Sequence, residues 1–381
     1  MFNEFLPLYP SWQNCLFCLV LYMALVMLTM KERMPYYNPH ANTKVGWLLV
    51  FVFFMFSFFN DDWFSYFNHV SSAQYNIGSL SFLTGHEAME RIYFIIAFAL
   101  DGDYLLWRLV VFGMVLVLLY RTGRRLELNS TSYLYALALI ATPVLCYARV
   151  SLAMAISFWG LSFLIRPMPM GKTPSFLLGS FLLVISALFH KSALVLPLII
   201  YLAYTFKLSK LKIFFLFLFF IVFFVLLNST DLINLFLSGE DVQYFINQRI
   251  ADKYLTSEKH LSGWGKSLIS FMRRTAVYCY TILALSILIN KKLKSKYILP
   301  YVNAVVIIVL FASVFLFVNK ANTYTLYYRF LNFAIIPISI VVAHCLSVGI
   351  YRKAFMRVTL LFVSSSILGI LYSVYSAYVH Y

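Results

Sequence analysis

Acidic residues are scarce in this chain: 14 Asp+Glu stand against 30 Lys+Arg in 381 residues, for a formal net charge of +16. Charged residues of both signs make up only 12%, about half the share of a soluble domain. That little charge cannot clothe a water-soluble globule, so an ordinary soluble enzyme is excluded. A disordered chain is excluded too, because it needs low hydrophobicity and high charge. Cysteine is also sparse. Cys15, Cys18, Cys146, Cys279 and Cys345 lie in or beside apolar runs with no metal-ligand spacing. They read as small hydrophobes rather than a disulfide scaffold or a metal site. No Lys or Arg precedes the first apolar run, only Glu4. A signal-peptide n-region is therefore missing, and the first span is expected to be retained.

What the chain does have is apolar length. Hydrophobic residues make up 62% and aromatics 19%. A bilayer-crossing helix needs about 20 apolar residues. Runs of roughly that kind lie near 11–30, 45–60, 104–120, 131–148, 150–165, 174–189, 192–206, 211–228, 267–290, 298–318, 329–350 and 357–378. A thirteenth, Ile92–Leu100, is too short to span and fits a re-entrant or interfacial helix. The expected fold is all-α: one polytopic membrane domain over 1–381, with about twelve transmembrane helices. Its longest outer loop, 228–266, carries apolar residues partly at helical spacing and is expected to hold an amphipathic surface helix that could cap a site.

Charge sets the orientation. Basic residues cluster after alternate spans: Lys31/Arg33/Lys44, Arg121/Arg124/Arg125, Arg166/Lys172, Lys207/Lys210/Lys212, Lys291/Lys292/Lys294/Lys296 and Arg352/Lys353/Arg357. By the positive-inside rule this side is the cytoplasm, which puts both termini outside. Those clusters take eighteen of the 30 basic residues. In a soluble protein the excess would suggest nucleic acid; here no nucleic-acid partner is expected.

The other twelve basic residues need a second reason. Depth follows from the helical rise of about 1.5 Å per residue. On that scale Arg149, His190, Lys191, Arg273, Arg274 and Asp62 share a layer near the outer edge of the apolar core. Arg329 lies slightly above it and Arg108 slightly below. A single cation at that level can be an interfacial anchor. A set of them with few acids nearby implies an anionic ligand, and the planar arginine fork suits phosphate. A ligand that is anionic and enters from the membrane is most simply a lipid-linked phosphate or pyrophosphate. Aromatics near the same surface (Trp63, Tyr66, Tyr328 among them) suit a glycan. Asp101-Gly102-Asp103 has the acidic spacing that can hold a divalent cation, but two acids flanking a glycine more often mark a turn or a helix cap. No metal and no cofactor are expected.

Four elements on the outer side then resemble the EpsG-like branch of the Wzy polysaccharide polymerases. Asp62-Trp-Phe-Ser-Tyr66 resembles that family's Asp…Tyr element, and Glu90-Arg-Ile-Tyr93 its Glu-x-x-Tyr element. Ala148-Arg149-Val-Ser-Leu-Ala153 resembles its Arg…Ala element. Phe189-His190-Lys191-Ser192-Ala193, followed by Pro197, resembles its most distinctive one. The order and span count agree over most of the chain. The departures are Phe58-Phe59-Asn60, where a basic residue often stands, and Val150-Ser151, where a Gln often follows the Arg.

The resemblance implies a GT-C-like architecture in a bacterial inner membrane and glycosyl transfer at the periplasmic face. The donor would be a growing glycan on undecaprenyl pyrophosphate and the acceptor the next lipid-linked repeat unit, with a chain-length regulator protein as a partner. In this reading Arg149, Arg329, Arg274, Lys191 and Arg273 bind pyrophosphate. His190 accepts the acceptor's proton, with Asp62 as the alternative base. Glu90, Tyr66, Trp63 and Tyr328 contact glycan. Two other readings stay open: a flippase or transporter for lipid-linked oligosaccharide, and an O-antigen-ligase type of transferase.

Overall fold

The computed structural model describes residues 12–31, 39–57, 70, 95–145, 148–169, 171–189, 195–205, 215, 218–219, 222, 264–290, 293, 295–317 and 321–380. In chain order the helices are α1 (Trp12–Lys31), α2 (Pro39–Phe56), α3 (Tyr104–Arg125) and α4 (Ser130–Ala136), which continues as a π-helical segment Leu137–Ala141. Then come α5 (Ala148–Ile165), α6 (Lys172–Phe189), α7 (Leu196–Thr205), α8 (Trp264–Ile289), α9 (Leu299–Phe317), α10 (Ala321–Phe333), α11 (Ile335–Val348) and α12 (Arg352–His380). The described residues form no sheet; a lone bridge joins Met168 to Gly171.

Among the described residues, five stretches are long and apolar enough to cross a membrane: Trp12–Thr29, Tyr104–Arg125, Leu268–Ile289, Tyr327–Val348 and Arg352–Tyr375. Shorter apolar helices are Thr43–Phe56, Ser130–Ala141, Val150–Ile165, Lys172–Ala187, Leu196–Thr205 and Leu299–Val314. The apolar run near 211–228 and the surface helix expected over 228–266 lie mostly or wholly outside the described residues.

In lipid, helices associate through close packing and small residues rather than through a hydrophobic gain. The α5/α6 pair shows this. A Cβ on Gly179 would meet the Gly160 carbonyl oxygen at 2.9 Å, and one on Gly160 would meet the Gly179 carbonyl oxygen at 3.0 Å. The Ser157 hydroxyl donates to Ser186 across the same seam at 2.6 Å. The periodicity agrees: Ser175, Gly179, Leu183 and Ser186 are buried, whereas Leu177, Phe181 and Val184 are exposed.

The centre of the bundle is the α4–π segment. Every residue from Tyr133 to Leu145 is buried. The wider π turn is held at both ends of its register. Thr142 donates its backbone N–H to the Leu137 carbonyl at 2.9 Å and its hydroxyl to the same oxygen at 3.0 Å. The Tyr22 hydroxyl of α1 donates to the Leu139 carbonyl at 2.9 Å.

Side-chain pairs fix which ends of the helices meet. Trp47 near the start of α2 packs on Tyr120 near the end of α3, with ring centroids 5.6 Å apart. The end of α3 meets the end of α5 through Arg125 and Arg166. Arg166 lies over the Tyr297 ring, and Asn290 at the end of α8 donates to the Tyr351 hydroxyl before α12 at 3.1 Å. One end of the bundle therefore gathers Lys44, Arg121, Arg124, Arg125, Arg166, Lys296 and Arg352. The alternation seen in the sequence is a spatial segregation.

Candidate functional site

The other half of the molecule holds the described members of the outer cluster. Arg149 stands in the first turn of α5, at the end opposite Arg166; its side chain is outside the description. Asp62, Trp63, Tyr66, Glu90, His190 and Lys191 lie outside the described residues altogether.

Arg273 and Arg274 are neighbours on α8, about 100° apart on the helix, and they face different partners. The Arg274 guanidinium lies over the Tyr328 ring of α10, 5.4 Å from its centroid. Its Nε donates to the Ser270 carbonyl one turn back at 3.2 Å. Arg273 turns to α12 instead. Its guanidinium lies 5.9 Å from the Phe362 ring centroid and beside Gly369, where an added Cβ would stand 3.8 Å from Nη2. Among the described residues its buried Nε has no hydrogen-bond partner. Cations within about 6 Å of a ring centroid are attracted by its quadrupole, more so when desolvated. Arg274 and Tyr328 are therefore brought together, with half-buried Arg329 next in sequence.

A hydroxyl chain beside Arg274 escaped the sequence reading. Tyr327 donates to Tyr278 at 3.3 Å, and Tyr278 and Ser313 are 2.8 Å apart. The single Ser313 hydrogen goes to the Val309 carbonyl at 2.7 Å. Tyr278 must then donate to Ser313, and its oxygen accepts from Tyr327. The protons run in one direction, from α10 through α8 into α9. Tyr278 lies four residues after Arg274, on the same face of α8. That spacing, and a serine inside the stretch of α9 after Asn303 that is otherwise apolar, were the signals available in the sequence.

Arg108 belongs to a different arrangement. It is 3% exposed. Its guanidinium donates to the Phe54 carbonyl, to the Ser57 hydroxyl at 3.2 Å and to the Tyr104 hydroxyl at 3.2 Å. It also lies 4.9 Å from the Phe112 ring centroid. The Phe54 carbonyl lies in the last turn of α2, where a helix leaves its carbonyls without intrahelical partners, and it also accepts from the Ser57 hydroxyl at 3.1 Å.

Asp101-Gly102-Asp103 is a helix stop and start. The residues 95–99 are helical. Gly102 N–H reaches the Ala97 carbonyl at 2.8 Å and Asp101 N–H the Phe98 carbonyl at 3.0 Å. This is the Schellman pairing, with Asp101 in the left-handed region at φ 53. Asp103 then caps α3, accepting from Leu105 N–H at 2.8 Å and Leu106 N–H at 3.0 Å. Among the described residues no group of three or more His, Cys, Asp or Glu could hold a metal ion.

The comparisons bear on the whole arrangement. No curated protein and no solved structure matches the chain. A family model described as the EpsG family matches residues 44–381, a span running from the start of α2 to the C-terminus and including all four resemblance elements. The chain belongs to the EpsG family, a Wzy-like polymerase family, which supports an exopolysaccharide-polymerase-like function.

Proposed function

We propose that this protein joins undecaprenyl-pyrophosphate-linked oligosaccharide repeat units by glycosyl transfer at the periplasmic face of a bacterial inner membrane. The chain crosses about twelve times, in a GT-C-like arrangement with both termini outside. The observation that carries this reading is the division of the cations. Basic loops collect at one end of the bundle, while Arg149, Arg273, Arg274 and Arg329 stand in the half away from it, in a chain that belongs to a polymerase family.

In the proposed step an acceptor hydroxyl oxygen attacks the anomeric carbon of the donor glycan. The bond from that carbon to the pyrophosphate oxygen breaks, and undecaprenyl pyrophosphate leaves. The leaving group gains negative charge as the bond breaks, so fixed cations stabilise the transition state more than the ground state. Arg149 comes first in this role, with Arg329, Arg274, Lys191 and Arg273 around it. The hydroxyl proton passes to His190, imidazole being a side chain suited to general-base work; Asp62 is the alternative acceptor. Glu90, Tyr66, Trp63 and Tyr328 hold the glycan. A chain-length regulator protein sets when extension stops.

The test is reconstitution. Purified protein given a lipid-pyrophosphate repeat unit is expected to produce a ladder of dimers and longer products. Arg149→Ala and His190→Ala are expected to lose the ladder with membrane abundance unchanged. A normal ladder from both variants removes these roles. Lipid movement across vesicles without a new bond makes the protein a flippase. Transfer to a non-repeat acceptor alone makes it a ligase-type enzyme.

A further inference from the structure

At the basic end, the connection from α5 to α6 and the end of α3 enclose a shallow depression of about 620 Å³. It is lined by Arg124, Arg125, Arg166, Pro167, Met168 and Pro169. The positive-inside pattern explains why arginines are present here, but not how they are held. Arg125 donates through Nε to the Ser162 carbonyl at 3.2 Å and through Nη2 to the Arg166 carbonyl. Arg166 returns a bond from Nη1 to the Arg125 carbonyl at 2.8 Å. Each guanidinium thus closes the other's helix end, and the two positive charges are locked side by side.

Rings back both cations. The Arg125 guanidinium lies 4.0 Å from the Phe163 centroid. Arg166 and Lys296 lie 5.7 Å and 5.4 Å from the Tyr297 centroid. Arg124 is exposed on the rim. The acid paired here is Glu127, 2.6 Å from Arg166 and itself 62% exposed. It follows a Schellman end of α3 and sits at φ 56. Among the described residues one carboxylate, paired to Arg166, thus stands at this end with Arg124, Arg125, Arg166 and Lys296, and an anion with several oxygens relieves the repulsion among the cations.

We infer that this depression binds the phosphate of an anionic phospholipid in the leaflet at the basic end. The depression lies where α3 and α5 leave their apolar lengths, at headgroup level. Beside it α6 presents Leu177, Phe181 and Val184, exposed by 63%, 60% and 59%. That row begins within two turns of the Met168–Gly171 bridge. A phosphate site above an apolar row has the form of a lipid. A soluble anion or an acidic protein would use the cations and not the row. The assignment is independent of the polymerase reading, which concerns the opposite half.

Native mass spectrometry of the full chain in detergent tests it, with phosphatidylglycerol, phosphatidylcholine and inorganic phosphate as separate probes. Phosphatidylglycerol is expected to be retained in preference to phosphatidylcholine, and not to be displaced by equimolar inorganic phosphate. Arg124→Gln is expected to lower retention several-fold with the thermal unfolding midpoint unchanged. Glu127→Gln, which removes the competing carboxylate, is expected to raise it. Lys353→Gln, a basic change at the same end on α12, is expected to leave it unaltered. Equal loss in Lys353→Gln means diffuse charge and overturns the site. Displacement by inorganic phosphate overturns the lipid assignment. Retention unchanged in Arg124→Gln, or no preference over phosphatidylcholine, overturns it as well.

Discussion

Arg108 on α3 and Arg274 on α8 are both arginines inside apolar helices, each with a tyrosine against it. Their surroundings differ in what the charge meets. Arg108 is buried on the end of α2, bonded to the main chain at Phe54 and to Ser57. Arg274 is half-buried over Tyr328, with its Nε on its own helix and a directed hydroxyl chain beside it. In the first case the guanidinium substitutes for the missing next turn of a helix. In the second it is set among hydroxyl and ring groups at the level of Arg329. The same residue type at similar depth thus serves architecture in one place and is a candidate for chemistry in the other.

Substitutions separate the two. Arg108→Ala is expected to have the largest effect: three lost bonds from a charged donor, at about 1.5 kcal/mol each, cost about 4–5 kcal/mol together. The readout is a lower thermal unfolding midpoint and reduced membrane abundance, with polymer falling in proportion. Arg274→Ala is expected to lower polymer formation on the order of 100-fold, the usual cost of removing one donor to developing negative charge. Its abundance and unfolding midpoint should match the parent. If Arg274→Ala instead melts like Arg108→Ala, the two arginines are of one kind and the contrast fails.

Smaller changes sharpen it. Tyr278→Phe breaks the hydroxyl chain in the middle and is expected to cost about 1 kcal/mol, read as a several-fold lower rate of ladder formation at unchanged abundance. The smallest expected effect is that of Asp103→Ala on the Arg108 side. Loss of that cap costs about 1 kcal/mol of stability, and ladder formation by the purified variant should proceed as before. EDTA is expected to leave the parent's rate intact. Loss of activity that Mg²⁺ restores would move Asp101 and Asp103 from capping to metal binding.

Some of this was legible in the sequence because the bilayer sets its own ruler. Among the described residues run length located most of the helices, though the run near 329–350 proves to be parts of two, α10 and α11, and the Lys/Arg clusters marked one end, since each depends on composition within one short segment. The Asp103 cap was readable for the same reason. Arg108 was not, because two of its partners, the Phe54 carbonyl and the Ser57 hydroxyl, stand more than 50 residues earlier at the end of another helix. Nor does Leu137–Ala141 announce a π turn; that register is held by Tyr22 from another helix. Adjacent Arg273 and Arg274 read as one pair in sequence, and only packing shows that one faces α12 and the other α10. The EpsG-like elements at Asp62, Glu90 and His190 were readable as motifs, yet they fall outside the described residues.

The α4–π span has a consequence for how the protein is made. Ser130–Ala141 is an apolar helix of about 18 Å, against a hydrocarbon layer of about 30 Å. It is wrapped by protein along its buried length. Such a segment cannot partition into lipid by itself and rest there. Its place exists only once α1, α2, α11 and α12 stand around it, and α12 follows it in the chain by more than 200 residues. Truncation before α12 is therefore expected to leave this central post unseated, so that quality control would recognise the truncated chain by a segment made long before the cut.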